Sequence, residues 1–102
     1  MLGAVVVEFD AELWLWDARR TDSWAFVSLP EGVSEEIRDV AGGVRRGFGS
    51  LRVKATVGGS TWTTSIFPGS EAYVLPIKRA VRKAESIDVG DTATVTVELL
   101  DL

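Results

Sequence analysis

The chain has no cysteine and no histidine in 102 residues, and only one methionine, one tyrosine and three prolines. Without cysteine there is no disulfide framework, no thiol nucleophile and no thiolate metal site. Without histidine the commonest general base and the commonest metal ligand are gone. No apolar run approaches the ~18 residues of a membrane-spanning helix. The first residues, Met1 to Glu8, lack the basic start of a signal peptide, and acids arrive at Glu8 and Asp10. A cytoplasmic address is the default expectation. What is present is ordinary for a soluble globular protein: 46% hydrophobic and 25% charged residues. A chain of this size holds one core, so residues 1–102 are expected to form a single domain.

Charge is unevenly spread. The net of −4 divides into −6 over residues 1–41, +7 over 42–84 and −5 over 85–102. Such asymmetry either marks an anion-binding face or reflects acidic and basic segments lying side by side and neutralising one another.

Periodicity reads the fold. Val5, Val7, Phe9, Ala11, Leu13 and Leu15 are apolar, with Glu8, Asp10 and Glu12 between them, which predicts one long strand with a single buried face. Trp24 to Leu29 is apolar at nearly every position, as in a strand covered on both sides. Ser34 is placed to cap a helix of about two turns carrying Ile37, Val40 and Ala41 on one face, with Gly42 and Gly43 ending it. Leu51, Val53, Ala55 and Val57 lead into Gly58-Gly59, after which Trp62, Thr64 and Ile66 alternate with Thr61, Thr63 and Ser65. A two-residue turn there pairs Val57 with Ser60, Ala55 with Trp62, Val53 with Thr64 and Leu51 with Ile66. Turn chemistry and side-chain pattern agree on that register, and a slip of one residue breaks it.

Phe67 to Ser70 reads as a turn and Tyr73 to Leu75 as a short strand. Pro76 is expected to open a second helix, where its missing N–H is no loss, with Ile77, Ala80, Val81 and Ala84 facing the core. Val89-Gly90-Asp91 turns into a last strand with Ala93, Val95, Val97 and Leu99 inward. The expected fold is all-β: a small closed or partly open β-barrel of about six strands with two short α-helices.

Several segments in order resemble one family: Glu12-Leu13-Trp14, Trp24-Ala25-Phe26-Val27, Leu29-Pro30, Arg46-Gly47-Phe48-Gly49, the run from Gly59 to Pro68, Tyr73-Val74-Leu75-Pro76-Ile77-Lys78, Val81-Arg82-Lys83-Ala84 and Gly90-Asp91. Together they look like the domain-of-unknown-function family DUF1905, in its stand-alone form. The resemblance implies a small β-barrel and brings no activity, substrate or catalytic residue. A shorter likeness over residues 75–97 (Leu75-Pro76, Val81-Arg82, Ile87 and Gly90-Asp91) is to the strand–helix–turn–strand unit of AbrB-like DNA-binding regulators. Here that unit is one third of a longer barrel.

Candidate chemistry is sparse. Arg46 to Val53 partly matches the RNA-recognition motif, but Ser50 and Val53 stand where stacking rings are needed. Glu8, Asp10 and Glu12 form a carboxylate row whose same-face spacing of roughly 7 Å is too wide for compact metal ligation. A solvated face opposite Arg52 or Lys54 is the simpler expectation, and no metal or cofactor is expected. No nucleophile–base pair can be drawn, so the sequence leans away from an enzyme. Lys78, Arg79, Arg82 and Lys83 cluster on the second helix, either as an anion site or as a solvated face with Arg82 and Lys83 paired to acids such as Glu85 or those of the first strand. Trp62 is expected inward. Trp14 and Trp16 fall on the carboxylate-bearing row, so either a bulge re-aims them or they form an exposed aromatic patch.

The expectation that follows is a binding module for a small or peptidic anionic ligand. Ser65, Phe67 and Tyr73 would meet the start of the second helix, with Lys78 and Arg82 supplying charge. Nucleic-acid binding through the basic middle segment is the alternative, and an enzyme of unknown reaction a third. No membrane contact is expected; oligomeric state is not legible.

Overall fold

The computed structural model describes residues 5–15, 24–40 and 49–100. In chain order these form β1 (Val6–Glu12), β2 (Trp14–Leu15), β3 (Ala25–Ser28), α1 (Glu31–Val40), β4 (Leu51–Val57), β5 (Ser60–Pro68), β6 (Tyr73–Pro76), α2 (Arg79–Glu85) and β7 (Thr92–Leu99). The seven strands make one curled antiparallel sheet in the order β1-β7-β4-β5-β6-β3-β2. This is the small, partly open β-barrel with two helices that the periodicity predicts.

The seventh strand arises because the expected Val5–Leu15 strand is two. Leu13 interrupts it, donating its N–H to the Asp91 carbonyl and accepting from the Gly90 N–H, both at 2.9 Å. Before Leu13 the chain pairs with β7; after it, with β3. One segment therefore supplies both ends of the sheet and curls it into a barrel.

The β4–β5 hairpin has the expected register: Leu51 opposite Ile66, Val53 opposite Thr64, Ala55 opposite Trp62 and Val57 opposite Ser60. Leu51, Val53, Ala55, Val57 and Ile66 are buried, with Trp62 partly buried against them. Ala93, Val95, Val97 and Leu99 of β7 complete this wall of the core, as alternation requires.

Four local expectations are corrected. The first concerns α1, which begins at Glu31, three residues before Ser34. Ser34 already donates its N–H to the Pro30 carbonyl at 2.9 Å as a helical residue. Its hydroxyl is spent across the fold, accepting the Tyr73 N–H at 3.0 Å in a fully buried position. Ile37 is buried but Val40 is half-exposed, and Ala41, Gly42 and Gly43 lie outside the described residues. Second, Pro76 ends β6 rather than opening α2. The Ile77 N–H reaches the Ala25 carbonyl, so by the alternation of the ladder the Pro76 nitrogen faces away from β3. On that side the pairing of β5 has already stopped at Phe67–Val74, and no donor is needed.

Third, α2 therefore starts later, at Arg79. Ile77 and Val81 are buried while Ala80 and Ala84 face outward. Fourth, β3 is not covered on both sides. Ala25 and Val27 are buried, but Phe26 is only partly covered and Trp24 is 53% exposed.

Among the described residues, neighbouring segments pair two charges with their opposites. Lys54 pairs with Glu98 of the adjacent β7 at 3.4 Å. The carboxylate row of β1 does not oppose Arg52 or Lys54: it faces the threonines of β7, and the Thr94 hydroxyl donates to Asp10 at 2.6 Å. Glu85 pairs with neither Arg82 nor Lys83. It accepts from the Gly59 N–H and the Ser60 hydroxyl, while Arg82 lies 3.9 Å from Asp88.

Candidate functional site

The exposed face of β2, β3, β6 and β5 carries an aromatic ladder. Alternation sends Phe26 outward between buried Ala25 and Val27, and the register sets Trp14 opposite Phe26 and Phe26 opposite Pro76. The Trp14 and Phe26 rings stack with centroids 5.3 Å apart, and Trp24 also stacks with Phe26, at 6.3 Å. Both separations suit offset stacking. The Trp14 indole N–H donates to the Ser28 hydroxyl at 3.0 Å, which fixes the ring's direction. One strand further, Val74 and Phe67 continue the apolar surface, with Phe67 42% exposed. Trp14, Trp24, Phe26, Phe67, Pro68, Val74 and Pro76 line a cleft of about 330 Å³. Trp14 thus joins an outward aromatic patch, and Trp16 lies outside the described residues.

A second cleft of about 330 Å³ adjoins the first and shares Trp24 and Pro76 with it. Its remaining walls are Ala25, Ile77, Lys78, Arg79 and Arg82. Lys78 is held extended (φ −66°, ψ 155°) just before α2. Arg82 is a wall rather than a loose charge: its Nε–H donates to the Ile77 carbonyl at 3.1 Å, and its side chain is only 12% exposed. Lys78 and Arg79 are exposed and have no ionic partner among the described residues.

At the opposite end of the aromatic cleft lies a third, larger depression of about 710 Å³. It shares Trp14, Gly69 and Val74 with the aromatic cleft and is rimmed by Asp10, Glu12, Glu31 and Glu71. Among the described residues, no basic side chain lines it.

The structure divides the five residues singled out from the sequence. Lys78 and Arg82 share one cleft, and Phe67 lies in the adjoining one. Tyr73 is buried on the inner side of β6, with the Arg38 guanidinium 5.7 Å from its ring centroid. Ser65, on β5, lines neither cleft. Sequence reasoning did not single out Trp24, Phe26 and Pro76 for the candidate site, and named Arg79 only within the basic cluster of the second helix. The available signal was parity: Trp24 and Phe26 stand two apart, on the row opposite Ala25 and Val27.

The family model DUF1905, described as a domain of unknown function, matches residues 9–97. That span contains every lining residue of the three clefts. No curated protein matches the chain. Among the described residues, no helix is long and apolar enough to cross a membrane.

Proposed function

The chain belongs to the DUF1905 family, whose description assigns no activity, and we propose from the geometry that it is a binding module for a small or peptidic anionic ligand with a flat apolar portion. The anionic group sits against Lys78 and Arg79, with Arg82 and Ile77 as the floor. The apolar portion lies on Trp24 and Pro76. The observation that carries this reading is Trp24, which is 53% exposed and forms a wall common to the basic and the aromatic clefts. An exposed indole beside Lys78 and Arg79, which have no ionic partner among the described residues, offers both contacts that a ring-bearing anion needs.

Nucleic-acid binding is the weaker reading. Exposed stacked rings beside cations do suit single-stranded nucleic acid. A polyanion following this aromatic surface, however, runs directly into the rim of Asp10, Glu12, Glu31 and Glu71, where like charge repels it. A short anion avoids that rim.

Tryptophan fluorescence against benzoate, phenyl phosphate and neutral benzamide tests the proposal. Saturable quenching by the two anions is expected, absent with benzamide and lost in the Lys78→Ala/Arg79→Ala double variant. A flat response to both anions, or one that survives the double variant, overturns it. A response that persists unchanged in Trp24→Phe moves the ligand to another tryptophan and overturns the placement.

A further inference from the structure

The three clefts adjoin one another in a row, a trench divided by the residues they share. The basic cleft joins the aromatic one through Trp24 and Pro76, and the aromatic one joins the acidic depression through Trp14, Gly69 and Val74. The trench follows β6, with Lys78 at one end and Ala72 at the other. The six steps from Ala72 to Lys78, at about 3.3 Å each, give it a length of roughly 20 Å. It is cationic at one end, aromatic in the middle and anionic at the other.

Resting on the anion-binding reading above, we infer that the occupant is an extended proline-bearing peptide with an acidic group at one end and an arginine or lysine at the other. Three features select it. First, the charges of the trench are complementary to such a peptide along its whole length and to no singly charged ligand. Among the described residues the carboxylates of Glu12, Glu31 and Glu71 have no ion-pair partner; the Arg38 guanidinium donates to the Glu71 backbone carbonyl at 3.3 Å, not to its carboxylate. No three carboxylates there gather closely enough to hold a metal ion. A long basic side chain spans such a rim where a bare ion does not, and Trp14, which lines both the acidic depression and the aromatic cleft, sets an aromatic ring beside its charge.

Second, the length matches about six extended residues and exceeds a compact metabolite. Third, the trench lies over the face of paired strands. In its middle the trench is walled by the side chains of Trp14, Trp24, Phe26 and Phe67, which stand over the ladder that pairs Phe26 with both Trp14 and Pro76, so there the occupant meets rings rather than backbone. A polyproline II segment has no internal hydrogen bonds and a solvated backbone, and it docks in aromatic-lined grooves without needing a sheet edge.

Four synthetic peptides with blocked termini and a central tract of four prolines test this by isothermal titration. Two carry arginine at one end and glutamate at the other, in the two orders; one carries arginine only and one glutamate only. At least one of the bipolar peptides is expected to bind about ten-fold tighter than either single-charge peptide. Glu12→Gln/Glu71→Gln should lower it to the glutamate-only level, and Lys78→Ala/Arg79→Ala to the arginine-only level. Bipolar peptides no tighter than the glutamate-only one overturn this inference and leave the anion site standing. Affinity insensitive to Lys78→Ala/Arg79→Ala overturns both. Equal affinity when glycine and serine replace the prolines overturns the polyproline assignment. If no peptide binds, this inference falls, and the benzoate and phenyl phosphate titrations separately decide the anion reading.

Discussion

The Glu85 carboxylate accepts the Gly59 N–H at 3.2 Å and so ties the end of α2 to the turn of the β4–β5 hairpin. Its other oxygen takes the Ser60 hydroxyl at 2.7 Å. Gly58, with φ +57°, lies so close that a Cβ there would collide with the Glu85 side chain. Gly58→Ala is expected to destabilise by about 1–2 kcal/mol from the left-handed backbone alone. The steric part should vanish in a Glu85→Ala background. A double-mutant cycle in urea checks this through a coupling energy distinct from zero.

Ser34 and Tyr73 make a second cross-fold tie. Removing the hydroxyl with Ser34→Ala leaves the Tyr73 N–H buried without its acceptor. A loss of about 1–3 kcal/mol is expected. Helix propensity predicts the opposite sign, because alanine is the better helix former. Equilibrium denaturation therefore separates the two effects by direction.

Ser86 ends α2 in the left-handed region at φ 56°, ψ 43°, where the Ile87 N–H closes back on the Arg82 carbonyl at 3.0 Å. Glycine is the residue that conformation favours. Ser86→Gly is expected to stabilise by about 0.5–1 kcal/mol, seen as a rise in Tm. Ser86→Val should lower Tm, since a β-branched side chain suits that backbone least.

Leu13 is 1% exposed at the junction of β1 and β2. Leu13→Ala is expected to cost about 2–5 kcal/mol through the cavity it leaves. Leu100→Ala, at a position 41% exposed, should cost well under 1 kcal/mol. Thermal unfolding of the two variants side by side tests the contrast.

What the sequence made legible was local. The β4–β5 hairpin was readable because period-two alternation and the Gly58-Gly59 turn are both written within sixteen residues and constrain the same register. The inward row of β7 was readable for the same reason. Helix ends were not. The hydroxyl that a first-turn pattern assigns to Ser34 is claimed by a backbone N–H 39 residues away, and no local rule anticipates that. Pro76 misled in a similar way: whether a proline is tolerated in a strand depends on where the neighbouring strand stops, and that is settled by β5.

About half of the candidate site's lining was legible in the sequence. Trp14 stood out as an aromatic on a carboxylate-bearing row, and Phe67, Lys78 and Arg82 were singled out. The trench itself was hidden because its parts come from β2, β3, β5 and β6, and only pairing sets Trp14 beside Phe26 and Phe26 beside Pro76. Tyr73 was drawn into the proposed site by its aromatic character, yet its parity along β6 turns it inward, beneath Arg38.

Because a single residue separates β1 from β2, the outermost rungs on the two sides of this sheet are not independent of each other. Loosening either edge pulls on the peptide bonds that anchor its counterpart. Fraying at one rim is thereby resisted by the pairing at the opposite rim. An open seven-stranded sheet would present two separate templates for intermolecular zippering; here both templates are tethered at Leu13, and exposing one demands disturbing the other.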